Sequence, residues 1–154
     1  YVDLGTWNPS AATGQLTVAL WANWNGLSGQ YQGLIAKRDV WATDDMMWQI
    51  EANRDTGTLG FFRNGSNPAD GDPILPVGEW AHVAATFDGT TAKFYFNAEM
   101  TGQGDFSFGS DPAAALVFGA CQGDGGNPFN GALDEVRIYD RALTAFEINH
   151  LAGK

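Results

Sequence analysis

From Leu16 to Trp24 the chain alternates with a period of two. Leu16, Val18, Leu20, Ala22 and Trp24 fall on one side, and Thr17, Ala19, Trp21 and Asn23 on the other. Only an extended strand sends successive side chains to opposite faces. Both sets carry bulk, so this strand is expected to be covered on both sides, at least in part. Similar patterns predict strands over residues 34–37, 46–52, 59–63, 81–87, 92–96, 115–121 and 132–139. Turn chemistry lies between them, as Asp55-Thr56-Gly57, Asn64-Gly65 and Asp88-Gly89. Strands spaced at roughly eight to twelve residues with polar turns between them signal a β-sandwich or barrel. Twenty glycines suit that many turns, and six Trp, ten Phe and four Tyr suit pleated surfaces. The fold class expected is all-β.

One helix is predicted, over residues 145–151. Thr144 can cap it, Glu147 completes a capping box, and Leu143 with Ile148 can form the hydrophobic staple. No internal repeat, low-complexity tract or linker divides the chain, and 154 residues are enough to bury one core. Residues 1–154 are therefore read as a single domain. It begins at Tyr1 without an initiator Met, which reads as a piece processed or excised from a larger secreted protein.

Eight basic residues against eighteen acidic ones give a net charge of −10. Such a surface repels phosphate backbones and anionic lipid heads, which argues against nucleic acid and membrane partners. No apolar run approaches the roughly 20 residues that span a bilayer. Cys121 is the sole cysteine, so no disulfide forms within the chain; it lies in an apolar run and reads as a small buried hydrophobe.

Two segments together resemble the laminin-G-like jelly roll, a branch of the concanavalin-A-like lectin/glucanase folds. One runs Gly78-Glu79-Trp80-Ala81-His82-Val83-Ala84-Ala85-Thr86-Phe87-Asp88-Gly89, followed by Lys93-Phe94-Tyr95-Phe96-Asn97. The other runs Phe129-Asn130-Gly131-Ala132-Leu133-Asp134-Glu135-Val136-Arg137-Ile138-Tyr139-Asp140-Arg141-Ala142-Leu143, followed by Glu147-Ile148. The opening Tyr1-Val2-Asp3-Leu4-Gly5 also looks like the start of such a domain. The resemblance implies a two-sheet antiparallel jelly-roll sandwich and, in most members, adhesion or polysaccharide binding as part of a secreted or surface protein. Two features depart from it. Asn97-Ala98 stands where the family usually has Asn-Gly, and residues 66–76 form a longer insertion carrying Asp70 and Asp72.

By period two, Asp134 shares a face with Val136 and Ile138, where an unpaired carboxylate is very costly. It needs hydrogen-bond donors or a cation. The resemblance makes it a candidate ligand for a structural Ca²⁺, with backbone N–H groups as the alternative partners. The segments Gln122–Asn127, Asp44-Asp45 and Asp70-Gly71-Asp72 offer further oxygens without a recognised spacing. Loop aromatics could stack on sugar rings: Trp41, Trp24 and Tyr31 are the candidates, with Trp7 behind them. The alternative for each is a side chain that lids one end of the sandwich. Arg54 and Arg63 could clamp a uronate or sulfate, or serve only solubility. Trp48 and Trp80 lie within strand patterns and read as core.

Nothing points to catalysis. A retaining glycosidase needs two carboxyls about 5–5.5 Å apart. Glu51 stands alone in its strand, and Asp134 and Glu135 are adjacent and so face opposite ways. Gln49-Ile50-Glu51 lacks the His of the alginate-lyase relatives. His82, flanked by Ala81 and Val83, reads as a framework residue. The expected function is a non-catalytic carbohydrate-binding module that grips a polysaccharide or glycan, with Ca²⁺ as a candidate cofactor. Adhesion to other surface proteins is the second reading and an enzyme the third.

Overall fold

A computed structural model describes residues 1–42, 45–110 and 112–153, with side chains left undescribed at 69–72. The strands are β1 (Val2–Asp3), β2 (Leu16–Trp24), β3 (Gln32–Arg38), β4 (Met46–Ala52), β5 (Thr58–Arg63) and β6 (Ser66–Ile74). They continue with β7 (Trp80–Phe87), β8 (Thr91–Phe96), β9 (Glu99–Asp105), β10 (Leu116–Phe118) and β11 (Gly131–Tyr139). One helix, α1 (Ala145–Leu151), follows. They form two antiparallel sheets, ordered β1-β10-β3-β4-β5-β6 and β11-β2-β7-β8-β9. This is the expected jelly-roll sandwich with one short C-terminal helix.

The core follows from strand alternation. Leu16, Val18, Leu20, Ala22 and Trp24 of β2 meet Val83, Ala85 and Phe87 of β7, and across the sandwich Trp48, Ile50, Ala52, Leu59 and Phe61 of β4 and β5. The opposite face of β2 is also covered, as its bulk required: Ala19 packs with Ala84, Tyr95, Leu143 and Ile148 beneath α1. That helix has the expected capping box. Thr144 Oγ1 accepts from the Glu147 N–H at 3.3 Å, and the Glu147 carboxylate accepts from the Thr144 N–H at 2.8 Å.

Three expectations need correction. Trp80, read as core, is 47% exposed at the end of β7, because it pairs with Asn23 beyond the last covered row. Residues 66–76, for which the pattern predicts no strand, are mostly the strand β6, which pairs with β5 at the sheet edge. Residues 115–121 contribute only Leu116–Phe118 to the sheet; beyond them the chain turns into a loop.

The Asn97-Ala98 turn joins β8 to β9 with both residues in the left-handed region, at φ 49° and 70°. The tight-turn geometry of an Asn-Gly pair is thus kept with a Cβ where glycine is favoured. Ala98→Gly is expected to raise the unfolding free energy by about 1 kcal/mol. Equilibrium urea unfolding checks this, and a less stable variant would contradict it.

His82 lies buried on the outer face of β7, edge-on to Trp21 with ring centroids 5.5 Å apart. Burial, with the nearby Arg137 charge, lowers its pKa from 6.5 to about 4. The unfolded chain therefore takes up a proton between pH 6.5 and 4 that the folded one refuses, so stability falls as pH drops through that window. Thermal unfolding from pH 7 to pH 4 should show this fall, shallower in His82→Gln; equal slopes would contradict it.

Candidate functional site

The outer face of the six-stranded sheet carries an unusual set of residues. Register sets Gln49 of β4 beside Ala36 of β3 and Phe62 of β5, and Glu51 beside Gly60. Arg38 joins them after a register shift at the end of β3. Charged and amide side chains here are buried instead of solvated: Arg38 is 2% exposed and Glu51 5%. Two segments enclose them. One is the turn after β3 that carries Trp41; the other is the loop after β10 that carries Gln122 and Asn127.

That second loop crosses β3 closely at Gly33, whose N–H donates to the Asn127 carbonyl at 3.0 Å. A Cβ on Gly33 would lie 2.4 Å from the Ala120 carbonyl carbon, so only glycine admits the crossing. The loop is held within itself. Cys121 N–H donates to Gly126 O at 2.9 Å, and Asp124 Oδ1 accepts from Gly126 N–H at 2.8 Å, which lowers the Asp124 pKa.

The result is a groove of about 720 Å³, lined by Arg38, Glu51, Thr58, Gly60 and Phe62, with Trp41, Tyr31, Asn53, Arg63 and Asn127 among its walls. Its polar base is a connected network. Arg38 donates to Gln49 Oε1 at 2.7 Å and to Gln122 Oε1 at 3.0 Å, and stands 3.8 Å from Glu51 Oε2. The Cys121 thiol also donates to Glu51 Oε2, at 3.0 Å. Burial raises the Glu51 pKa above the usual carboxylate value, against the lowering effects of Cys121 and Arg38. The same burial pushes the Cys121 thiol up, so it is inert at neutral pH. Arg38 Nε is buried with no hydrogen-bond partner, and the Gln49 amide nitrogen, near Glu51, lacks a well-formed bond.

Aromatic side chains flank this base. Trp41 is 54% exposed, lies over the Arg38 guanidinium at 5.4 Å, and meets Phe62 edge-on at 6.1 Å. Tyr31 lies under the Arg54 guanidinium at 5.4 Å. Two of the candidate aromatics, Trp41 and Tyr31, thus come together on one groove. Trp24 does not. It is 4% exposed, its Nε1 donates to Gln32 Oε1 at 2.9 Å, and it sits in the core, so it offers no platform. Trp7 is exposed outside the groove lining. Arg63 lines the groove, but its donors are turned to Ser107 O, Ser107 Oγ and Asn64 O at 2.7, 3.1 and 2.9 Å.

Asp134 departs from its expected setting. A bulge in β11 between Asp134 and Arg137, with Glu135 at φ 50°, shifts the alternation by one residue. Leu133, Val136 and Ile138 therefore face the core while Asp134 stands exposed, its Oδ1 accepting from the Glu135 N–H at 2.7 Å. Among the described residues no three His, Cys, Asp or Glu side chains gather to hold a metal ion. Ca²⁺ takes six to eight oxygens, of which Asp134 would supply at most two. Asp44 and the side chains of Asp70 and Asp72 lie outside the described residues; Asp45 uses its carbonyl to accept from Asp39 N–H at 2.8 Å.

The groove's buried network could be suspected only in part from sequence. Glu51 stood out as a lone acid in a strand, but Arg38, Gln49 and Gln122 reach it through strand register and a loop crossing.

The family model of the concanavalin A-like lectin/glucanases superfamily matches residues 1–149, and the chain belongs to that superfamily. Among solved structures, domain 4 of AbnA, a GH43 extracellular arabinanase from Geobacillus stearothermophilus, in complex with arabinotriose, aligns with a TM-score of 0.70 at 24% identity. The alignment covers 97% of this chain and 71% of that one. The CBM40 of the Ruminococcus gnavus IT-sialidase aligns with a TM-score of 0.75 at 20% identity, over 99% and 91%. Its form bound to alpha2,3 sialyllactose gives 0.73 at 19% identity, over 98% and 91%. At these identities the likeness is one of fold. None of the curated proteins matches the chain.

Proposed function

We propose that this member of the concanavalin A-like lectin/glucanase superfamily is a non-catalytic carbohydrate-binding module, and that the groove on its six-stranded sheet holds the glycan. The observation that carries the reading is the pairing of exposed aromatics with a fixed polar base. A sugar ring has apolar C–H faces and a rim of hydroxyls; Trp41 and Tyr31 suit the faces, and Arg38, Glu51, Asn53 and Asn127 the rim. The glycans bound in the two relatives above support the same class of ligand.

Binding without turnover is supported by the groove's carboxylates. Glu51 is the one Asp or Glu among its described lining residues, and both common glycosidase mechanisms need two. A soluble role outside the cell agrees with the extracellular relative, and among the described residues no helix is long and apolar enough to cross a membrane.

Affinity electrophoresis against a polysaccharide panel, with reducing-end analysis of the same mixtures, tests the proposal. The domain should be retarded by at least one polysaccharide and release no product. Free migration in every gel, or accumulation of reducing ends, would overturn it.

A further inference from the structure

We infer that the groove selects neutral glycans over their acidic counterparts, and that Glu51 sets this preference. The inference rests on the reading of the groove as a glycan site and concerns which glycans enter it. The two relatives do not decide the matter, since one was solved with a neutral sugar and the other with a sialylated one.

The two arginines that line the groove have their terminal nitrogens engaged. Arg38 stands 3.8 Å from Glu51 and donates to two glutamine side chains. Arg54 pairs with Asp55 at 3.3 Å. Arg63 keeps its charge, but its donors serve Ser107 and Asn64. Neither guanidinium that lines the groove, Arg38 or Arg63, therefore presents an unoccupied pair of terminal nitrogens to a carboxylate, which is how arginine recognises acidic ligands best. The chain as a whole also carries a net charge of −10.

Glu51 then decides between ligand types. Its carboxylate lines the groove while almost wholly removed from water. Gly60, opposite it in the register, has no side chain to cover it. A ligand carboxylate brought alongside would meet like charge where solvent screens it weakly. A sugar hydroxyl brings no charge and has both hydrogen-bonding roles, so it can donate to Glu51 while its oxygen accepts. The burial that raises the Glu51 pKa agrees with this: the site resists even one negative charge.

The test is calorimetric titration at pH 7 with matched pairs: galacto-oligosaccharide against oligogalacturonate, and lactose against sialyllactose, with arabinotriose as a further neutral probe. Wild type should bind the neutral member of a pair about tenfold more tightly. In Glu51→Gln, neutral affinity should fall a fewfold and acidic affinity rise, bringing the ratio close to one. Acidic members binding as well as or better than neutral ones would overturn the inference while leaving the glycan site standing. An unchanged ratio in Glu51→Gln would remove Glu51 as its cause. Should that variant fail to fold, the wild-type ratio alone decides the preference. No binding by any probe, in any pair, would defeat the glycan reading and this inference together.

Discussion

Replacing Arg38 with Met is expected to lower the unfolding free energy by about 3–5 kcal/mol at pH 8. Arg38 and Glu51 are a buried pair at 3.8 Å, each nearly inaccessible to water. Removing one partner leaves the other as an uncompensated charge in a poorly screened place. Glu51 can escape by taking up a proton, and its pKa is already raised by burial. Without Arg38 it would rise further, so the folded state would hold a proton that the unfolded state has lost. Stability contributed that way is present at low pH and fades as pH increases, so the damage should be smaller at pH 5 than at pH 8. The double variant Arg38→Met/Glu51→Leu should recover most of the loss, because a well-packed apolar pair replaces an ionic one at little cost. Urea unfolding of the three proteins at both pH values measures all of this. A single variant within about 1 kcal/mol of wild type at pH 8 would show that the pair is not buried as described.

If the double variant folds well, stability alone does not account for an ion pair at the base of the groove. The double variant should then keep most of the wild-type stability and fail to bind glycan. That separation of folding from binding follows from the pair's place on an outer sheet face, where the core does not need it.

Trp41→Ala is expected to act in the opposite way, with stability unchanged within about 0.5 kcal/mol and glycan affinity lowered roughly 10- to 100-fold. The indole is 54% exposed, so little of it supports the fold. Its position is nonetheless set, by Arg38 beneath it and Phe62 against its edge. A ring held this way loses little freedom when a sugar stacks on it, and covering an aromatic side chain is worth about 1.5–3 kcal/mol. Calorimetry with the tightest glycan found, together with thermal unfolding, checks both halves. A large loss of stability, or an affinity within about twofold of wild type, would contradict the assignment.

The central strands were readable because each obeys one simple rule over its length. β2 alternates without interruption, and β4 runs over Met46–Ala52 as its pattern demanded. The strands without a legible pattern break the rule for visible reasons. β6 contains Pro68 and Pro73, which argue against a strand except at a sheet edge, where β6 lies. β9, Glu99–Asp105, is polar with two glycines and shows no alternation.

Asp134 illustrates a deeper limit. Counting by twos from Val136 put it on the apolar face, and a single left-handed residue, Glu135, turned it outward. Trp24, at the end of a strand, reads from sequence as a loop-edge aromatic, yet Gln32 from the next strand receives its indole N–H within the core. The groove was legible only as separate parts. Trp41 and Tyr31 were singled out by residue type and loop position. Their meeting with Arg38, Gln49 and Glu51 depends on register and on the close crossing at Gly33, neither of which a sequence pattern encodes.

The central claim, that the glycan sits against Trp41 on the six-stranded sheet, is tested most directly by fluorescence titration of three variants with one bound glycan. Trp41→Ala should abolish the ligand-induced change, whereas Trp7→Ala and Trp80→Ala, exposed outside the groove lining, should keep both the change and the affinity. Full binding by Trp41→Ala, with binding lost in Trp80→Ala or Trp7→Ala, would place the glycan elsewhere and contradict the account.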